Sequence, residues 1–225
     1  MISALRGLPA AFGFLTRLPV GGFPYSPDEL RWSSAHFPLV GAVLGAALAA
    51  VMMLSARAGT VVAAALAVSA GMLLTGAFHE DGLADTADAL GGASDRDKLF
   101  VILRDSRIGS FGAAALCMAL LLRVALLSAL ASAAPLALVL TQSLARLPPV
   151  WMMALLPSVS PEGAKSSAIA GAGGLQVAVA SGWVALLFGS AFAANLIEGR
   201  VLAGLLVVAV PLLKEAQLPQ QFWIF

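Results

Sequence analysis

Charged residues are scarce in this sequence, and their scarcity excludes most soluble folds. Only 11% of the 225 residues are charged, whereas 60% are hydrophobic. A soluble domain usually carries about 25% charged and 45–50% apolar residues, so this chain cannot cover itself with polar surface in water. We therefore expect an all-α integral membrane protein whose helices face lipid.

Cysteine is nearly absent, and the net charge is close to zero. The only cysteine, Cys117, lies inside an apolar run, so an intrachain disulfide is excluded. A formal net charge of +1 does not point to any particular anionic partner, and we expect no binding of nucleic acid. Residues 1–20 lack a clean apolar stretch followed by a small-residue cleavage site, so we expect no cleavable signal peptide.

Six apolar runs approach the roughly 20 residues that a helix needs to cross about 30 Å of hydrocarbon. They are Phe37–Ser55, Thr60–Phe78, Ala113–Ala134, Leu136–Leu156, Leu175–Ala194 and the shorter Val201–Leu213, for which a half-buried or re-entrant segment is the alternative. Alanine, glycine and serine are abundant in these runs, which favours close packing of membrane helices. The sequence thus predicts about six transmembrane helices in a single polytopic domain, residues 1–225, with the polar segment 79–112 between helices 2 and 3.

The placement of lysine and arginine predicts the orientation, because cytoplasmic loops carry an excess of both. With a cytoplasmic N-terminus, nine basic residues fall inside and two fall outside. The inner set is Arg6, Arg17, Arg31, Arg96, Lys98, Arg104, Arg107, Lys165 and Lys214, and the outer set is Arg57 and Arg200. This bias predicts that the N-terminus and residues 79–112 face the cytoplasm.

Acidic residues are concentrated in residues 79–112, which hold seven of the twelve. The seven are Glu80, Asp81, Asp85, Asp88, Asp95, Asp97 and Asp105. We expect helix 2 to continue to about Leu90 and to be followed by a turn. A short helix, capped by Ser94, should then run to about Arg104.

Three of these carboxylates share one helical face. Asp81, Asp85 and Asp88 follow the spacing i, i+4, i+7, which places them within a sector of roughly 60°. Their mutual repulsion requires a divalent cation, arginine partners or water. Oxygen-only ligands suit Mg²⁺, which commonly takes one or two carboxylates together with substrate phosphates. We therefore predict a magnesium site here, and a solvated acidic helix end is the alternative. Gly82 disfavours that alternative, because glycine is costly in a helix interior.

A second polar motif, Arg104 to Gly112, combines two arginines with two glycines. Guanidinium groups are planar, bidentate donors to phosphate, and glycines leave backbone N–H groups open at a helix start, where anions bind. We predict that Arg104, Arg107 and Gly109 bind substrate phosphate and that Asp105 belongs to the catalytic set. The alternative is that the arginines only anchor the next helix at the cytoplasmic surface.

Isolated polar residues add further predictions. His79 is a candidate general base beside the acidic face, and an interfacial histidine is the alternative. Glu80 should point away from the three aspartates. Arg123 and Arg146 lie in predicted spans, where charge is costly and is usually functional or paired, and Arg146 is the better candidate for contact with phosphate.

The chain closely resembles the cobalamin synthase family in two runs. These are His79-Glu80-Asp81-Gly82-Leu83-Ala84-Asp85-Thr86-Ala87-Asp88 and Arg104-Asp105-Ser106-Arg107-Ile108-Gly109-Ser110-Phe111-Gly112. The segments Phe14–Pro19 and Phe37–Gly41 are similar to N-terminal motifs of that family, so the resemblance covers about residues 1–160. The tail, residues 200–225, departs from the family's C-terminal motif Gly-Gly-x-Thr-Gly-Asp, because no aspartate follows Asp105. We therefore expect a divergent or incomplete tail.

The resemblance implies an adenosylcobinamide-GDP ribazoletransferase, a multi-pass protein of the cytoplasmic (inner) membrane. In that reaction a ribose hydroxyl of α-ribazole, or of its 5′-phosphate, attacks the cobinamide-side phosphorus of adenosylcobinamide-GDP, and GMP leaves. The product is adenosylcobalamin or its 5′-phosphate. The resemblance also implies Mg²⁺ as the cofactor.

Two other functions compete with this interpretation. A CDP-alcohol phosphotransferase of lipid synthesis also carries aspartates at the cytoplasmic face, but it expects Asp-Gly-x-x-Ala-Arg, and here Asp85-Thr86 stands in place of Ala-Arg. A cation-binding membrane transporter would place paired charges at mid-membrane depth in symmetric repeats. The predicted spans contain Arg123 and Arg146 without acidic residues beside them in the spans.

Overall fold

The computed structural model describes residues 2–156 and 172–198, and all regular structure in these ranges is helical. The α-helices are α1 (Ile2–Leu15), α2 (Pro27–Ser33), α3 (Phe37–Leu54), α4 (Thr60–Thr75), α5 (Phe78–Gly92), α6 (Arg96–Ile102), α7 (Ser110–Leu130), α8 (Ala134–Leu144), α9 (Leu147–Leu155) and α10 (Gly174–Ala193). The all-α prediction is confirmed for this part of the chain. The predicted span Val201–Leu213, the tail, and the basic residues Lys165, Arg200 and Lys214 lie outside the described residues.

The described ranges contain fewer candidate membrane spans than the sequence predicts. Three helical stretches are long and apolar enough to cross a membrane, namely Pro27–Leu54, Ser110–Leu155 and Gly174–Ala193. A fourth arises if α4 and α5, which meet at 90°, are counted as one broken span. These three or four candidates fit a membrane protein.

The expectation that helix 2 continues unbroken to about Leu90 is wrong, because the chain turns sharply between α4 and α5. Gly76 and Ala77 both have left-handed backbone angles, with φ of 69° and 58°. The N–H of Ala77 donates to the carbonyl of Met72 over 2.8 Å, which closes α4. Left-handed glycine is a common helix stop, and α5 therefore begins in a new direction.

Arg17 secures this turn. Its backbone N–H donates to the carbonyl of Leu74 over 2.8 Å. Its guanidinium contacts Gly76 so closely that a Cβ there would lie 2.9 Å from Cζ of Arg17. A cation at the C-terminal end of a helix is favourable, because the last carbonyls carry partial negative charge.

Contacts divide the chain into two compact units. Unit 1 comprises Met1–Phe14, Pro19–Gly45 and Val139–Phe225, and unit 2 comprises Leu15–Leu18 and Ala46–Leu138. The single polytopic domain expected from the sequence stays a prediction.

Unit 2 is held together by small side chains. Its buried core cluster consists of Leu48, Ala49, Met52, Ala63, Ala64, Ala67, Ala134 and Leu138. Alanine lets helices approach closely, which strengthens packing where lipid offers no hydrophobic drive between helices. The alanine-rich pattern of the sequence is thus used for helix packing.

Unit 1 begins with a polar arrangement at the start of α2. Ser26 and Glu29 form a reciprocal capping box, and Nη1 of Arg6 donates to Glu29 over 3.1 Å. Nε2 of His36 lies 2.9 Å from the carbonyl of Ala4. These contacts tie α1 to α2 and to the start of α3 within unit 1.

Candidate active site

The site predicted from the sequence is built on α5 and α7, which pack antiparallel in unit 2. Gly91 near the end of α5 contacts Phe111 near the start of α7. Glu80 near the start of α5 contacts Arg123 further along α7. The buried stripe of α5 on this side is formed by Glu80, Ala84 and Asp88, which are spaced four residues apart. The geometry of this pair therefore determines which carboxylates face protein.

Asp88 lies at the seam between the two helices and caps α7. Its two carboxylate oxygens accept N–H groups of Gly109 over 2.6 Å and Gly112 over 2.8 Å. Gly109 is the N-cap of α7 and offers no side chain, so Asp88 replaces the missing capping group from another helix. A carboxylate at this end also interacts favourably with the helix dipole. The N–H groups that the sequence suggested would be open thus have an internal acceptor.

The two glycines are required by this close approach. A Cβ on Gly109 would lie 2.5 Å from Oδ1 of Asp88. A Cβ on Gly112 would lie 2.7 Å from the carbonyl oxygen of Ala84 and would also strike Asp88. The spacing Gly109-x-x-Gly112 therefore places two side-chain-free positions against α5. The substrate-binding role of Gly109 stays a prediction.

Asp81 and Asp85 differ from Asp88 in their surroundings. Asp81 is exposed and Asp85 is half-buried, whereas Asp88 is buried. Gly82 beside them is also exposed, and a Cβ added there would meet nothing within 4 Å. The helical face predicted from the spacing is therefore divided by tertiary packing, with Asp81 and Asp85 on its accessible part.

Residues 103–109, the arginine loop, connect α6 to α7. Two side-chain nitrogens of Arg107 donate hydrogen bonds to the carboxylate of Asp105. Nε lies 3.0 Å and 3.1 Å from the two carboxylate oxygens, and Nη2 lies 2.6 Å from Oδ2. The side-chain hydrogen bonds from Arg107, followed by the bond from its backbone N–H, lower the pKa of Asp105 to about 2. Arg104 is exposed. The loop therefore presents an ion pair and a second, accessible guanidinium.

The short helix before this loop is confirmed as α6, but its predicted cap is wrong. The N-cap is Asp95, whose Oδ1 accepts the N–H of Lys98 over 2.8 Å. Ser94 instead donates its hydroxyl to Asp95 over 2.9 Å. The hydrogen bond from the backbone N–H of Lys98 is the largest cause that lowers the pKa of Asp95, and the hydrogen bond from the Ser94 hydroxyl is the second. A charged acceptor at the N-cap satisfies the helix start better than the neighbouring serine.

Glu80 and Arg123 form an ion pair that no local sequence pattern predicts. Glu80 lies with Asp88 on the buried stripe of α5, so it does not point away from all three aspartates as the spacing predicted. Its Oε1 accepts Nη1 of Arg123 over 2.5 Å, and the Arg123 side chain is 50% exposed. The 43-residue separation in sequence left no local signal for this pair. The cost of charge within an apolar helix was the available hint.

His79 lies on α5, and Arg146 lies in the short connection between α8 and α9. The half-buried His79 ring lies 5.4 Å from the ring of Phe78. Arg146 is buried in unit 1, where its Nη1 donates to the carbonyl and to the side-chain oxygen of Gln142. The catalytic role of His79 and the contact of Arg146 with phosphate stay predictions.

The carboxylates of α5 are the candidate ligands for a metal ion. Across residues 2–156 and 172–198, no three His, Cys, Asp or Glu side chains are grouped as a metal site would need. Asp81 and Asp85 are one helical turn apart and offer accessible oxygens, which fits Mg²⁺, since this ion commonly takes only one or two carboxylates. Joint binding by Asp81, Asp85 and Asp88 stays a prediction.

Comparison with known proteins adds a family to this geometry. The family model described as cobalamin-5-phosphate synthase matches residues 7–219. A protein of Albidiferax ferrireducens named adenosylcobinamide-GDP ribazoletransferase is 42% identical over 76% of this chain and 66% of its own length. Proteins of the same name from Azorhizobium caulinodans and Polaromonas naphthalenivorans are 44% and 47% identical, over 81% and 59% of this chain.

The matches cover only part of each relative. The chain spans 66%, 72% and 51% of the lengths of these three proteins. No solved structure matches the chain. The family model nonetheless covers most of the sequence, including the aspartates of α5 and the arginine loop. The chain therefore belongs to the cobalamin-5-phosphate synthase family.

Proposed function

We propose that this chain is an adenosylcobinamide-GDP ribazoletransferase, the activity for which its relatives are named. The observation that carries the proposal is the junction of α5 with the arginine loop through Asp88. This junction ties accessible carboxylates, Asp81 and Asp85, to Arg104 and Arg107. Carboxylates that hold a cation and guanidinium groups that hold phosphate suit a diphosphate substrate.

The reaction exchanges one phosphate ester bond for another. A ribose hydroxyl oxygen of α-ribazole, or of its 5′-phosphate, bonds to the phosphorus on the cobinamide side of adenosylcobinamide-GDP. The bond from that phosphorus to the bridging oxygen breaks, and GMP leaves with the bonding electrons. The hydroxyl proton passes to a base, the role that we assign to His79. The product is adenosylcobalamin or its 5′-phosphate.

We assign Mg²⁺ to the accessible carboxylates of α5. Asp81 and Asp85 would hold the ion, whereas both carboxylate oxygens of Asp88 already accept backbone hydrogen bonds. When bound, Mg²⁺ neutralises charge on the phosphate oxygens. The open surface at Gly82 leaves room beside these carboxylates for the substrate diphosphate.

The arginine loop supplies the complementary charge. Arg104 is exposed and offers a planar fork to phosphate oxygens. Arg107 already pairs with Asp105, so its guanidinium is held in place with part of its donor capacity used. We assign Asp105 the task of orienting Arg107, and we assign substrate contact to Arg104 and Arg107.

We further propose a multi-pass protein of the cytoplasmic membrane with about six spans. The stretch Ser110–Leu155 is 46 residues long, which is about twice the length that one crossing requires, so it accommodates two of the predicted spans. The nine-to-two distribution of basic residues supports a cytoplasmic N-terminus and a cytoplasmic location of residues 79–112.

The two competing functions have less support. Family membership favours neither a CDP-alcohol phosphotransferase nor a cation-binding transporter. The pairing of Arg123 with Glu80 also gives one intramembrane arginine a structural partner.

The decisive experiment measures GMP release by membranes that contain the protein. Adenosylcobinamide-GDP is supplied with and without α-ribazole, and GMP should appear only when both substrates and Mg²⁺ are present. Asp81→Asn and Asp85→Asn should abolish or strongly reduce release, whereas Asp97→Asn, an equal change of charge at an exposed position of α6, should retain it. Release that is independent of α-ribazole would contradict the transferase assignment.

A further inference from the structure

We infer that Asp88 is a positioning residue, which locks the arginine loop to the metal-facing helix, rather than a ligand of the metal. The kinetic part of this inference rests on the proposed function, whereas its structural part does not. It separates Asp88 from Asp81 and Asp85, with which it shares a helical face by spacing alone.

Both oxygens of Asp88 are already committed. Oδ2 accepts the N–H of Gly109 over 2.6 Å, and Oδ1 accepts the N–H of Gly112 over 2.8 Å. Hydrogen bonds from backbone N–H groups to a carboxylate are among the strong ones in proteins. The side chain is also buried at the seam between α5 and α7, whereas Mg²⁺ usually keeps several waters and needs an accessible face.

The glycines on the other side of this contact belong to the same lock. Any side chain at Gly109 would displace the carboxylate, since even a Cβ would lie 2.5 Å from Oδ1. Gly112 is buried against both Asp88 and Ala84. Asp88 on α5 therefore provides the two acceptor oxygens. Gly109 and Gly112 at the start of α7 provide two backbone N–H donors that no side chain obstructs.

The position of the lock determines what it controls. Gly109 is the last residue of the arginine loop, so the bond to Asp88 attaches the loop's C-terminal end to α5. Asp85 lies one turn before Asp88 on the same helix. Loss of the hydrogen bonds to Asp88 should therefore leave the carboxylates of Asp81 and Asp85 in place. The arginine loop, which carries the guanidinium groups of Arg104 and Arg107, should become free to move.

Hydrogen exchange tests the structural part in the purified protein in detergent. The amides of Gly109 and Gly112 have no partner of their own at a helix start unless a cap supplies one. Asp88→Ala should accelerate their exchange by at least ~10-fold, the ratio that corresponds to about 1.4 kcal/mol. Asp88→Asn, which keeps one acceptor oxygen, should show a smaller acceleration. Asp85→Ala, the matched control on α5, should show none.

A second variant disrupts the contact between Asp88 and the start of α7 without changing the net charge. Gly109→Ala should raise the exchange of the Gly112 amide because its Cβ displaces the Asp88 carboxylate. Gly82→Ala, which adds a methyl group to open space on α5, is the control. Exchange at Gly109 and Gly112 that stays at the wild-type rate in Asp88→Ala and in Gly109→Ala would overturn the lock.

Turnover then separates a positioning residue from a ligand. Asp85→Asn should raise the Mg²⁺ concentration for half-maximal GMP release, or abolish release at any concentration. Asp88→Asn should leave that concentration within about twofold and raise the KM for adenosylcobinamide-GDP. An equal rise in the Mg²⁺ requirement for both variants would make Asp88 a ligand. Absence of turnover in the wild-type protein would contradict the proposed function but not the capping role of Asp88. Hydrogen exchange at Gly109 and Gly112 tests that role independently of turnover.

Discussion

Arg123 of α7 donates a hydrogen bond to Glu80 of α5, with Nη1 and Oε1 2.5 Å apart, and this ion pair holds the far end of the helix pair that carries the candidate site. Asp88 holds the near end. The two contacts join α5 to α7 at two separate points. The ion pair thus stabilises the helix on which Asp81 and Asp85 lie.

Removing one partner of this pair should cost more than removing both. Arg123→Gln leaves the buried Glu80 carboxylate without its cation, and we expect a loss of about 1–3 kcal/mol, toward the lower end because Arg123 is half-exposed. The double variant with Glu80→Gln should recover part of this loss. Thermal unfolding in detergent measures it, and additive effects of the two changes would show that the pair is not coupled.

Gly82→Ala should stabilise the protein while impairing it as an enzyme. Alanine is favoured over glycine in a helix interior by roughly 0.5–1 kcal/mol, and the added Cβ meets no protein atom. If substrate approaches α5 at this position, kcat/KM for adenosylcobinamide-GDP should fall despite the higher melting temperature. Gly112→Ala is the contrasting control, because its Cβ collides with Ala84 and should destabilise the fold. Full activity of Gly82→Ala would remove this position from the substrate path.

Arg104→Lys should reduce kcat/KM for adenosylcobinamide-GDP by roughly 10- to 150-fold, the range expected for loss of a charge-assisted contact. Lysine preserves the positive charge that an anchoring role would require but lacks the bidentate fork. Arg107→Lys should act similarly and should also loosen the pair with Asp105. The KM for α-ribazole should change much less. Normal insertion together with wild-type kcat/KM in both variants would leave membrane anchoring as their role.

Asp105 should remain ionised well below the pH at which ordinary aspartates titrate. Arg107 lowers its pKa from 3.8 to about 2, so the pair is fully present above pH 3.8 and is lost as the pH falls toward 2. In protein with ¹³C-labelled aspartate carboxyls, the Asp105 signal, assigned from Asp105→Asn, should titrate near 2. Arg107→Ala should return the midpoint toward 3.8, and Arg104→Ala should leave it unmoved. A common midpoint in all three proteins would exclude the ion pair in solution.

Single cysteines test the proposed orientation. Ser94 and Ser110 are exposed and flank the region that contains α6 and the arginine loop. Cysteine at either position, in a Cys117→Ser background because Cys117 is itself exposed, should react with an impermeant maleimide only from the cytoplasmic side. Cysteine at Arg57 is the control for the opposite face. Labelling of residues 94 and 110 in intact cells would reverse the topology.

Local sequence patterns predicted much of the helical architecture. The run Phe37–Ser55 became α3, Phe37–Leu54, and the run Leu175–Ala194 became α10, Gly174–Ala193. Hydropathy and helix-breaking residues influence the backbone only within a few residues along the chain. These helix boundaries can therefore be predicted from sequence without knowledge of the tertiary structure. The run Leu136–Leu156 instead divides into α8 and α9 near Arg146, at a position where Pro148 and Pro149 begin a new helix.

The sequence by itself determined the lipid-facing composition, the polar segment, the spacing of the three aspartates on α5 and the family motif. Only the tertiary structure decided that Asp88 caps α7, that Glu80 pairs with Arg123, and that Asp81 and Asp85 remain accessible. Helical spacing sets the angles between side chains on one helix, but it does not say which sector another helix covers. That choice depends on partners 21 and 24 residues away for Asp88 and 43 residues away for Glu80, where packing and electrostatics replace local pattern.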